Sequence, residues 1–192
     1  MESKLSEIHV KHQSGKSKEA ISDLQKLIDS YPNDRLISVA YNRCGNYLNS
    51  IGQHCQAIDS YKKCLEHLNI DENDRDLVTS INVSVVIARI SYQLGRDGPG
   101  YSRTLNRVRL TPTQMTEEEQ QEWINNQLSQ SVKYFRQSLS KFPENLQETK
   151  AEIEAELASV LLYTNDFDEA VKIYENGFHV ICHFSFIEIV YL

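Results

Sequence analysis

The chain has 192 residues and a formal net charge of −7, with 40% hydrophobic and 24% charged residues, seven glycines and four prolines. That composition fits one globular domain and excludes a disordered, collagen-like or linker-dominated chain. The acidic balance argues against a dedicated nucleic-acid binder, which needs a basic footprint to neutralise phosphates.

The first residues, from Met1 to Glu7, lack the apolar run of a secretory signal. Cys44, Cys55, Cys64 and Cys182 form no C-x-x-C pair and no small-domain disulfide spacing. Reduced thiols in a cytoplasmic or nuclear setting are therefore expected.

The predicted helices come in pairs. In the first pair Gly15 marks a turn and Ala20-x3-Leu24-x2-Leu27 a second helix, closed by Pro32-Asn33-Asp34. Its first helix is polar at Lys4, Glu7 and Lys11, and His9 and His12 are expected on a solvent face. The second pair reads Tyr41-x2-Cys44-Gly45-x2-Leu48, a turn at Gly52, then Ala57-x3-Tyr61-x2-Cys64. The polar run Asp71 to Asp74 is a loop before the third pair.

The third pair opens with Ile87-Ala88, with a turn expected at Gly95. Arg96-Asp97-Gly98-Pro99-Gly100 follows and cannot be a helix interior. The missing helix reappears as Ser131-x3-Phe135-x2-Ser138-x4-Pro143, which implies an insertion over about residues 96–126. Thr116-Glu117-Glu118-Glu119 reads as a capping box opening a long helix to about Lys141. The fourth pair has Leu157-Ala158-x2-Leu161, a turn at Asn165, and Ala170-x3-Tyr174. Eleven of the fifteen residues from Phe178 to Leu192 are apolar, too short a run for a membrane-spanning helix.

This recurrence of small, bulky and turn residues resembles the tetratricopeptide repeat (TPR) family, whose motif runs W-x2-L-G-x2-Y, A-x3-F, P. Residues 41–64 carry the best match. The resemblance implies an all-α, right-handed α-solenoid of about four helical hairpins over residues 1–177, the third with an insertion. Residues 178–192 form a separate apolar tail. Gly45 and Ala57 fall where paired helices cross, and Tyr41, Leu48, Tyr61 and Leu65 fill the space between units.

The resemblance also implies function: a non-enzymatic scaffold for protein partners, with the first helix of each hairpin lining a concave groove for a peptide or helix. Its non-stacking residues are Asn42, Arg43, Asn46 and Asn49, then Asn82, Val86, Arg89 and Gln93, then Glu152, Glu156, Ser159 and Tyr163. Asn can grip a peptide backbone by donor and acceptor, and Arg can fork onto a carboxylate. A clamp centred on Asn42, Asn46 and Arg89 is the expectation. Positions matching the carboxylate clamp of chaperone-binding TPR domains hold Leu5, His9, Arg43, Asn82 and Val86, or, one unit later, Asn42, Asn46, Val86, Glu152 and Glu156. Neither set supplies the needed charges, so a chaperone-tail binder is not expected.

Other chemistry has less support. There is no P-loop, G-x-G-x-x-G or G-x-S-x-G motif, so no enzyme and no cofactor are expected. His179, Cys182 and His183 lack a fourth ligand, so no metal site is expected. Arg96, Arg103, Arg107 and Arg109 make a basic loop, a secondary site that could take an acidic peptide or phosphate. Two alternative functions follow: a structural subunit assembling through the tail, or a nucleic-acid-associated protein acting through these arginines.

Overall fold

The computed structural model describes residues 1–68, 74–98, 115–143 and 146–176. Those residues contain eight helices and no strand. They are α1 (Glu2–Gln13), α2 (Ser17–Ser30), α3 (Ile37–Ser50), α4 (His54–Glu66), α5 (Asp74–Asp97), α6 (Glu117–Leu139), α7 (Gln147–Tyr163) and α8 (residues 167–176). The described residues fall into two compact units that meet within α5, between Val83 and Ser84.

The first unit holds the hairpins α1/α2 and α3/α4. Both turn on a glycine in the left-handed region, Gly15 at φ +84° and Gly52 at φ +81°, where a side chain would be strained. The apolar face of α2 buries Ala20, Leu24, Leu27 and Ile28, positions three and four apart. α3 and α4 bury Ala40, Cys44, Tyr47, Leu48, Ala57, Ile58, Tyr61 and Cys64. At about 25 cal/mol per Å² of apolar surface, each large side chain here contributes roughly 1.5–3 kcal/mol.

The second unit contains the later turns of α5, with α6, α7 and α8. α6 starts on the expected capping box: Glu119 N donates to Thr116 Oγ1 at 3.2 Å and Thr116 N donates to the Glu119 carboxylate at 2.7 Å. It is the displaced second helix of the third hairpin. Ser131 is fully buried and its hydroxyl donates to the Ala88 carbonyl at 2.8 Å. Gln130 Nε2 donates to Ser91 Oγ at 3.0 Å. The first helical turns of α6, residues 117–126, thus occupy the end of the expected insertion.

One expected turn is misplaced. Gly95 lies inside α5, and the helix ends with Gly98 at φ +77°, whose N–H donates to the Leu94 carbonyl at 3.0 Å. Arg96 and Asp97 are therefore helical. The left-handed residue at the helix end is Gly98 rather than Gly95. Gly95 instead admits Leu128: a Cβ there would stand 2.8 Å from the Leu128 side chain. The fourth turn is as expected, with Asn165 at φ +62°. Tyr174 differs from its counterparts: Leu24, Tyr61 and Phe135 are buried, but Tyr174 is 43% exposed.

α5 is also long and apolar enough to cross a membrane, its most apolar 18-residue window having a mean hydropathy of 1.3. α5 packs as a core helix, burying Ile81, Val83, Val85, Ile87, Ala88, Ile90 and Leu94. Asn82, Arg89 and Gln93 are its exposed residues over the same stretch.

Candidate partner-binding faces

On the first unit, α3 turns Asn46 outward and leaves Asn42, Arg43 and Asn49 half-buried. Three of these four have partners within the fold. The Tyr61 hydroxyl donates to Asn46 Oδ1 at 2.7 Å. Asn49 Oδ1 meets His54 Nδ1 at 2.8 Å, and burial pushes the His54 pKa down, favouring a neutral ring. Arg43 Nη1 donates to the Leu5 carbonyl at 2.7 Å and so fastens α3 to α1. Its guanidinium stitches two hairpins, a role other than forking onto a ligand carboxylate. Asn82, in the same unit, is exposed.

The α1–α3 seam holds a cluster missed in the sequence. The His12 ring stacks on Tyr47 with centroids 3.8 Å apart, and His9 Nδ1 lies 2.9 Å from the Tyr47 hydroxyl. Both histidines are half-buried, contrary to the solvent face expected. Lys11 pairs with Asp23 of α2, and this partner holds the Asp23 carboxyl below its usual pKa. Lys4 Nζ lies 5.2 Å from the Tyr31 ring centroid. The polar residues of α1 thus dock it along its edges, while Leu5 and Ile8 are buried.

On the second unit, Arg89 and Gln93 of α5 are exposed beside α7. Arg89 forks onto Glu156, with Nε at 2.7 Å from Oε2 and Nη2 at 2.5 Å from Oε1. The carboxylate partner raises the Arg89 pKa further. Glu152 and Tyr163 are exposed on α7, and Glu156 and Ser159 are half-exposed. Tyr92 and Tyr163 meet edge to face at 5.4 Å, and Arg96 lies over the Tyr92 ring at 5.6 Å. Local periodicity does not signal the Tyr92 pairing, because the contact joins residues 71 positions apart. Arg96 is paired with Asp97 at 3.0 Å. The expected clamp residues Asn42 and Asn46 thus lie in the first unit and Arg89 in the second.

Arg103, Arg107 and Arg109 lie outside the described residues, as do His179, Cys182, His183 and the tail. Among the described residues no group of three or more metal-ligating side chains converges.

Residues 4–34 match the tetratricopeptide repeat family. The match falls on the first hairpin rather than on residues 41–64, where the motif is best kept. No curated protein matches the chain. Among solved structures, MamA 41-end from Desulfovibrio magneticus RS-1 is similar over 93% of each chain, at 13% identity and a TM-score of 0.34.

Proposed function

We propose that this chain, a tetratricopeptide repeat protein, is a non-enzymatic scaffold whose units each present an exposed first-helix face to a peptide or helix of a protein partner, α3 in the first unit and α5 with α7 in the second. Scaffolding of protein partners is the general role of the family. The observation that carries the location is the exposure pattern of α5. In the second unit Val85, Ile87, Ala88 and Ile90 are buried while Arg89 and Gln93, four residues apart on one side of the helix, are exposed; in the first, Asn82 is exposed between buried Ile81 and Val83. Such an exposed side on a helix otherwise used for packing is the place where polar side chains reach a partner without loss of core. On α3 the Asn46 amide N–H groups can still donate, since Tyr61 uses only its oxygen.

Co-precipitation of the wild-type chain against the Asn42→Ala, Asn82→Ala and Gln93→Ala triple variant tests the reading, with Lys62→Ala as a control on α4. Loss of the same proteins from the triple variant alone supports the faces named. An unchanged set of captured proteins removes them.

A further inference from the structure

We propose that the α5–α7 face of the second unit accepts a basic extended peptide, with two cationic side chains about five residues apart. This inference rests on the reading that exposed first-helix faces hold peptides, and it names the chemistry of the occupant.

The face has a row of side chains at helical spacing along α7: Glu152, Glu156, Ser159 and Tyr163. Three or four residues separate each from the next, so all four point to one side. From Glu152 to Tyr163 the row runs about 16 Å at 1.5 Å per residue. An extended peptide covers that distance in about five residues at about 3.3 Å each.

An acidic occupant is disfavoured by what Arg89 already does. Its fork is filled by both oxygens of Glu156, at 2.7 and 2.5 Å. A ligand carboxylate would have to displace a tethered one, and would then face Glu152 as well. A cation meets the opposite situation: Glu152 is exposed at one end of the row.

At the other end Tyr163 is 53% exposed. Its ring pairs edge to face with Tyr92, whose own face carries the Arg96 guanidinium at 5.6 Å. Arg96 is an internal example of the contact that a ligand lysine or arginine would make on Tyr163. The face therefore offers a carboxylate at one end, a half-exposed aromatic ring at the other, and a neutralised ion pair between them. This is charge and shape complementarity to a peptide with two spaced cations.

The test is fluorescence anisotropy of the full chain with three pools of labelled 12-residue peptides. The pools are random except for two fixed residues five apart: two Lys, two Gln or two Glu. The expected result is about tenfold tighter binding of the Lys pool than of the Glu pool, weakening as salt rises. Glu152→Lys and Tyr163→Ala should each weaken the Lys pool several-fold, since an exposed cation–π contact alone is worth about 2–5-fold. Both side chains are exposed, and circular dichroism checks that each variant is folded.

Glu118→Lys, on the exposed first turn of α6, changes net charge equally and should leave binding unchanged. Equal weakening by Glu118→Lys and Glu152→Lys would reduce the effect to attraction by an acidic chain and overturn the proposal. Tighter binding of the Glu pool, still dependent on Tyr163, would overturn the charge assignment but leave a peptide-binding face. Binding of no pool would overturn the peptide-face reading itself.

Discussion

Tyr61 lies across Gly45 so closely that a Cβ on Gly45 would stand 2.6 Å from the ring's Cε1. The ring cannot swing aside cheaply. It is 1% exposed, and its hydroxyl is tied to Asn46. Gly45→Ala should therefore overpack the α3/α4 crossing at a cost of about 1–3 kcal/mol, against about 1 kcal/mol gained from better helix propensity. Urea unfolding should show a lower midpoint with an unchanged slope. A midpoint above wild type would mean that the ring yields and propensity dominates.

The same geometry recurs in the second unit, where Gly95 faces Leu128. A Cβ would stand 2.8 Å from the Leu128 side chain and 3.3 Å from its backbone nitrogen. Gly95→Ala alone and Leu128→Ala alone should each destabilise. The double variant should be more stable than the sum of the two predicts, because truncating Leu128 removes most of the clash. A coupling energy on the order of 1 kcal/mol in the double-mutant cycle is expected. Simple additivity would show that α6 does not press on α5 at this point.

These two glycines also show where the sequence is legible. Small residues at helix crossings leave a spacing trace, and Ala20, Ala57, Ser131 and Ala170 are all fully buried as that trace predicts. Glycine serves two purposes under one letter, a left-handed turn or a close approach. By spacing alone Gly95 reads as the turn, while the left-handed residue is Gly98 three positions later. The candidate site was less legible for a related reason. Arg43 is engaged by a backbone carbonyl, a group every residue carries, so no residue type in the sequence marks the partner. The stacking of His12 on Tyr47 depends on how α1 lies on α3, which local periodicity does not encode.

Stability should fall at both ends of the pH scale. Burial raises the Cys64 thiol from an ordinary 9.0 to about 12 and pushes the Tyr61 hydroxyl up as well. The unfolded chain ionises these groups first, so their contribution is complete below about pH 9 and is lost as pH rises toward 12. His54 works in the opposite sense. Its folded pKa lies below 6.5, so its contribution is present above that value and is lost as pH falls through the folded one. Denaturation midpoints measured from pH 4 to pH 11 should show this plateau, and His54→Gln should flatten its acid side. An unchanged acid limb in that variant would remove His54 from the explanation.

Arg43 and Asn42 are neighbours on α3, and their truncations should separate stability from binding. Arg43→Ala removes a charged donor from the half-buried Leu5 carbonyl contact, and such bonds are worth about 1.5–3 kcal/mol. Thermal unfolding should shift down, and hydrogen exchange in α1 should accelerate more than in α4, because α1 loses its fastening. Asn42→Ala should leave both readings within about 0.5 kcal/mol of wild type, as substitutions away from buried networks usually do. Its effect should instead lie in capture of the partner. An Arg43→Ala chain as stable as wild type but unable to bind would return Arg43 to the ligand face where its spacing first placed it.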